Sequence, residues 1–359
     1  MKQILALALS SLLALSAAHA QTQVTPYQPG LTPDGITYFL PRTYVHVTVT
    51  AVKHHNTPGE YCQYANRHLR LPHVTLTETD EWTIEGVELQ TYGLADPTQA
   101  YTIKLNSKTA APLVSLTPDG RLLTVNDEQE YTEPQLSAAK VEQLDPAPLE
   151  SANYKTQDIL LAGSTAKMAE LTAAEIYDIR ENRNLLTKGQ ADFMPKDGEQ
   201  LRIMLRNLDT QENALMQLFV GTTEKDTLEQ IVTFVPTREV DKQLIFRFSK
   251  YLGMTDTDDL GGSPYYIKIE DLHSMPTLNG VTDTRKDKDN VGIYVNLPGK
   301  IRASVYNGNA LMGAYELYAA QFGKLESISG EMFSRKYTTS IVLNPVTGSI
   351  EKIETEAVK

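Results

Sequence analysis

Apolar and polar positions change period twice along this chain, from two to helical spacing and back. Near the start, His46, Thr48 and Thr50 alternate with Val45, Val47, Val49 and Ala51. A period of two places the valines on the core face of a strand and the polar set outward. Residues 36–40 read as a preceding strand, and Pro58-Gly59 breaks the run. A short helix is predicted over 60–69, with Tyr61, Tyr64, Ala65 and Leu69 on one face. Strand-like runs return at 81–84, 87–92 and 101–105. Residues 113–125 read as a hairpin about Pro118-Asp119-Gly120, because proline presets φ and glycine accepts a positive φ.

From 164 to 219 the period becomes helical. Ser164 or Thr165 can cap a helix reaching about Lys188, with Met168, Leu171, Ile176, Ile179 and Leu186 on its apolar side and Gly189 as its stop. Asp197 caps a second helix, with Gln200 in the capping-box position. Leu201, Leu205, Leu208, Leu215 and Phe219 then recur at helical spacing. A short connection between two amphipathic helices predicts an antiparallel hairpin. Beyond Gly221 strands are predicted at 231–235, 244–248, 265–269, 293–297, 301–306, 310–318, 337–343 and 350–354, with a final turn at 344–348.

This pattern predicts an α+β fold: mainly antiparallel β, in sandwich- or barrel-like regions, with an inserted antiparallel helical hairpin. The expected organisation is a signal peptide (1–20), an N-terminal β-rich domain (21–126), an acidic linker (127–153), the helical hairpin (154–221) and a C-terminal β-rich domain (222–359).

The first residues change the picture most. Lys2 precedes an apolar run over 4–15, and Ala18-His19-Ala20 follows. Charge, apolar core and small-x-small in that order form a secretory signal, so cleavage after Ala20 and export to the periplasm or beyond are expected. The run is too short to cross a bilayer, which takes about 20 residues. No later segment is apolar enough, so no transmembrane segment is expected. A net charge of −12 argues against nucleic acid, whose phosphates would repel it. Cys62 is the single cysteine, which rules out an intramolecular disulfide and leaves a buried small hydrophobe or a free thiol.

Several stretches are distinctive: AGSTAKMAE at 162–170, EIYDIRENR at 175–183, LLTKGQAD at 185–192 and MPKDGE at 194–199. FRFSK at 246–250, DTDDL at 256–260 and GITYFLP at 35–41 join them. Together they resemble an exported bacterial family, domain of unknown function 4831, across essentially the whole mature chain. The resemblance implies a secreted or periplasmic location in a Gram-negative cell. It implies no activity and transfers no functional residues.

The chemistry-bearing candidates are few. Asp256, Asp258 and Asp259 beside Gly261 and Gly262 are the weak metal candidates, since alternating carboxylates can wrap Ca²⁺. The EF-hand template wants Glu at its twelfth position, which here is Ile267, so a polar turn is the simpler reading. The acidic stretch 283–290 mixes in basic residues and reads as a solvated loop. His46, His54, His55, His68 and His73 cluster in sequence without metal-ligand spacing. Gly261-Gly262-Ser263-Pro264-Tyr265 fails the nucleophile-elbow pattern. Glu170, Glu175, Asp178 and Glu181 read as a solvated helix face with Arg180 and Arg183 as partners. Tyr265, Tyr266, Tyr306, Tyr315 and Tyr318 could stack on sugars but read first as core or cross-strand pairs.

These observations favour a noncatalytic exported protein, a binding or cell-envelope assembly module whose ligand is an unknown protein or glycan, with no cofactor. The alternatives are a secreted glycan-acting hydrolase, whose carboxylates need no local motif, and a calcium-stabilised binding module built on the Asp256 loop.

Overall fold

The computed structural model describes residues 24–26, 35–104, 113–129, 131–132, 149–275, 291–333 and 337–357. The expected signal peptide, the 283–290 stretch and most of the acidic linker lie outside the described residues.

Strand runs that looked separate in sequence merge into longer strands. In chain order these are β1 (Val24–Pro26), β2 (Gly35–Thr57), β3 (Thr79–Lys104), β4 (Val114–Leu116), β5 (Leu122–Val125), β6 (Thr222–Phe234), β7 (Val240–Ser249), β8 (Gly253–Thr255), β9 (Ser263–Asp271), β10 (Val291–Asn307), β11 (Ala310–Ser329), β12 (Tyr337–Leu343) and β13 (Ile350–Ala357). Among the described residues they form three antiparallel sheets, ordered β1-β3-β2-β6, β11-β10-β9-β7-β8 and β13-β12-β5-β4. The fold is α+β and mainly β, as the period of the chain predicts.

Two long hairpins organise it. β2 spans 23 residues and β3 spans 26, against about five or six for an average strand. Both hairpins are interrupted. The β2–β3 ladder passes from Phe39↔Ala100 to Pro41↔Ala95 and leaves residues 96–99 unpaired. The β10–β11 ladder passes from Leu297↔Lys324 to Gly299↔Ala319 and leaves 320–323 unpaired. Each interruption lets one hairpin serve two cores. On β2, Tyr38 and Leu40 face one core, whereas Val45, Val47, Val49 and Ala51 face the other. Side chains alternate strictly along a strand, so this change of parity at Pro41 moves the chain from core to core. The valine core is completed by Ile267, Ile269, Ile301 and Val305. The tyrosine core is completed by Ile103, Ile293, Val295, Ile341 and Leu343.

The turn 344–348 locks the interrupted region. Thr43 is fully buried; its hydroxyl donates to the Val346 carbonyl at 3.2 Å and accepts from the Ala320 amide at 3.0 Å. Asn296 donates to the carbonyls of Pro41 (3.3 Å) and Thr347 (3.0 Å). Arg121 donates to the Pro345 carbonyl and, through Nε, to Asp119 at 2.9 Å. Gly348 has φ 75, and a Cβ there would lie 2.7 Å from Pro41 Cδ, so the turn seats only with glycine. This polar hub bonds inward and fixes one arrangement of the strands.

The sheets also correct the expected domains. β2 pairs with β6 and β5 pairs with β12, so 21–126 and 222–359 share sheets and cores instead of forming two β domains. Periodicity marks which face of a strand is apolar, and carries no information on the partner strand.

The helices form a separate layer: α1 (Ala65–Leu69), α2 (Gln157–Leu160), α3 (Thr165–Lys188) and α4 (Gly198–Val220). The caps are the predicted ones. Ser164 Oγ accepts the Lys167 amide at 3.3 Å, and Asp197 Oδ1 accepts the Gln200 amide at 2.8 Å. Gly189 closes α3 with φ 70. The Gln200 side chain accepts from the Lys196 amide, one residue before the expected partner. Tyr61, Ala65 and Leu69 pack with Ala169, Ala173, Ile176, Leu215 and Phe219 in a third core. α4 enters β6 through Gly221, where φ is 81 and a Cβ would lie 2.0 Å from the Thr57 carbonyl oxygen. The helical layer therefore hangs from the shared end of β2 and β6.

Candidate binding groove

α3 and α4 meet differently along their length. At the end nearest the sheets, Ile176, Leu215 and Phe219 are fully buried. One level outward, the seam is ionic. Glu212 is 8 % exposed; its Oε1 accepts from Arg180 Nε at 2.6 Å and its Oε2 is ion-paired with Arg183 Nη2 at 2.8 Å, while Arg183 Nη1 donates to Asp209 at 2.7 Å. These arginines were expected to pair along their own helix. They pair across the hairpin, because the antiparallel packing brings α4 carboxylates opposite them.

Beyond this stitch the seam opens. Leu201, Leu205 and Leu208, expected on the buried face, are only half-buried. Ile203 is 50 % and Met204 is 37 % exposed, and the connecting loop presents Phe193 at 86 % and Met194 at 41 %. Between the helices lies a groove of about 460 Å³. Leu185, Leu186, Ala191, Phe193, Met204 and Leu208 form its apolar walls, and Asn182, Asn207 and Asp192 its polar points. Clustered exposed apolar side chains of this kind mark interaction surfaces. The sequence carried a signal for it: Phe193-Met194 is an apolar pair in a loop otherwise rich in polar residues, glycine and proline. No helical period points to it, because the pair belongs to neither helix.

A second apolar patch, Tyr251, Leu252 and Leu260, decorates the turns flanking β8 at 68 %, 63 % and 84 % exposure. The Asp256 loop lies between them. Asp259 Oδ1 accepts the Gly261 amide at 2.8 Å, and Arg247 donates to the carbonyls of Thr257 (2.8 Å) and Gly262 (3.0 Å). A guanidinium already satisfies loop oxygens that a cation would want. Asp256, Asp258 and Asp259 thus sit in a turn held by backbone amides and by an arginine. Among the described residues no group of three His, Cys, Asp or Glu could hold a metal ion.

The other candidates disperse. His54 contacts Thr83 Oγ1 at 2.9 Å, and His55 contacts Asp80 at 2.7 Å, which raises its pKa. His68 caps nothing with its ring, and its carbonyl accepts the Tyr177 hydroxyl at 3.1 Å. His46, expected outward, is 7 % exposed, with its ring 3.7 Å from that of Tyr92. Burial holds its pKa below the ordinary value. Cys62 is half-buried in a short turn preceding α1 and does not pack as a core hydrophobe. Tyr265 is buried and stacked on Phe246 at 4.6 Å; Tyr315 donates to the Val87 carbonyl at 3.1 Å. Tyr266 and Tyr306 are cross-strand neighbours, and Tyr318 is exposed. Every carboxylate whose pKa is displaced among the described residues is displaced downward: Asp80, Asp119, Glu170, Glu270 and Glu316.

Fold and surface together define a mainly β, α+β protein carrying a helical hairpin with an open apolar tip. The chain belongs to the family described as Domain of unknown function (DUF4831), whose model matches residues 34–351. Comparison with curated proteins and with solved structures finds no match. No helix among the described residues is long and apolar enough to cross a membrane.

Proposed function

We propose that this is a noncatalytic exported protein that binds a partner in the cell envelope or outside the cell, with the groove at the hairpin tip as its binding surface. The observation that carries the reading is the pair of exposed apolar side chains, Phe193 and Met204, lining a groove of about 460 Å³. A soluble chain gains nothing for its own core from a phenylalanine 86 % exposed to water. Export is supported by the order of charge, apolar core and small residues over 2–20.

Incorporating a photo-reactive phenylalanine analogue at position 193 in the native host tests the proposal. Illumination is expected to yield one crosslinked species of defined mass, and Met204→Asp to abolish it. Turnover on polysaccharide substrates that vanishes when a single Asp or Glu is replaced would overturn it.

A further inference from the structure

The groove's charge and size narrow its occupant. Asp192 is the one charged side chain among its lining residues, and it has no cationic partner among the described residues. Lys188 at the end of α3 and Lys196 before α4 are the nearest cations in sequence, four residues to either side of Asp192, and form no ion pair with it, while Arg183 is spent on Asp209 and Glu212. Asn182 and Asn207 add amide donors and acceptors, one from each helix. The chain as a whole carries −12, a field that draws cations and repels anions. The lining falls well short of the roughly 20–30 residues a side that a stable protein interface uses, so a second copy is too large an occupant. A volume near 460 Å³ instead suits a few inserted side chains. Two helices flanking an apolar trough offer the helix-in-groove mode of recognition.

Taking the tip groove as the binding surface, we propose that its occupant is a short cationic amphipathic segment of another protein. Apolar side chains from one face of that segment fill the trough between Leu185, Phe193, Met204 and Leu208, and a lysine or arginine beside them meets Asp192. Desolvation of the apolar anchors supplies most of the affinity. The Asp192 pair, at the water-exposed rim, supplies discrimination between charge types and a faster encounter.

The test uses the mature full-length protein and two synthetic helical peptides with the same leucine–phenylalanine face. One carries lysines on its flanks and the other glutamates. Titration calorimetry at low salt is expected to show the lysine peptide binding about 10-fold more tightly, a difference of about 1.4 kcal/mol. Asp192→Asn should shrink that ratio several-fold, and Phe193→Ser should weaken both peptides; both positions are exposed, so neither change threatens folding. A ratio unchanged by Asp192→Asn would show that overall charge, and not this carboxylate, selects the partner, and would overturn the assignment. Equal binding of the two peptides would overturn the cationic partner and leave the groove standing. No binding of either peptide, with the crosslink at position 193 still formed in cells, would sink this proposal and spare the functional reading. Self-association abolished by Phe193→Ser in sedimentation runs would make the occupant a second copy and overturn it equally.

Discussion

Glu212 is a charge whose removal and whose abandonment have different costs. Its side chain is 11 % exposed, while those of Arg180 and Arg183 are 35 % and 34 % exposed. Replacing both arginines by methionine keeps their apolar stems and leaves a buried carboxylate without a cation. Stranding a buried charge costs about 3–5 kcal/mol. Loss of the Arg180–Tyr177 cation–π contact, at 5.7 Å, acts in the same direction. Glu212→Gln removes the charge itself. The guanidiniums are a third exposed and turn to water, and the amide oxygen can still accept from them. That change should cost about 1 kcal/mol, the order of one hydrogen bond. The double arginine variant should therefore be less stable than Glu212→Gln by roughly 2–4 kcal/mol, a large part of a total of about 5–15. Urea unfolding measures it with two probes. Far-UV ellipticity reports α3 and α4, and the fluorescence of Trp82, the single tryptophan, reports the valine core against which it packs. If Glu212→Gln unfolds at lower urea than the double variant, the burial argument for this seam is wrong.

Other outcomes follow from the same structure. Intact-mass analysis of the exported protein should give an N-terminus at Gln21; full-length chain retained in the membrane fraction would contradict the signal reading. His46 has a lowered pKa, so its unfolded form binds protons first on acidification; its contribution to stability is present above its ordinary value near 6.5 and is lost as pH falls below that. His46→Gln should flatten this slope between pH 7.5 and pH 5.5 in a difference against the parent (roughly the window around the ordinary value), which cancels the opposite slope from His55, whose pKa is raised. Chelator should leave the melting temperature unchanged, because Arg247 already holds the Asp256 loop; a large drop restored by calcium would reinstate a metal role for Asp256, Asp258 and Asp259.

The features readable from sequence are those decided within a few residues. Ser164, Asp197 and Gly189 cap the helices because a side-chain oxygen or a left-handed glycine meets backbone groups one turn away. Gly120 and Gly348 form the predicted turns because their positive φ angles, 87 and 75, suit no other residue as well. The apolar phase of β2 was equally local. What the tertiary structure decided is what each face meets. Only packing joined β2 to β6 and β5 to β12, sent Arg180 and Arg183 across to Glu212, and covered His46 with Tyr92. Leu201, Leu205 and Leu208 continue the same apolar stripe as Leu215 and Phe219, yet the folded chain leaves them only half-buried. A period in the sequence records that a face is apolar; whether that face is sealed by the chain itself or left for a partner depends on the path of the other helix, which no local pattern encodes.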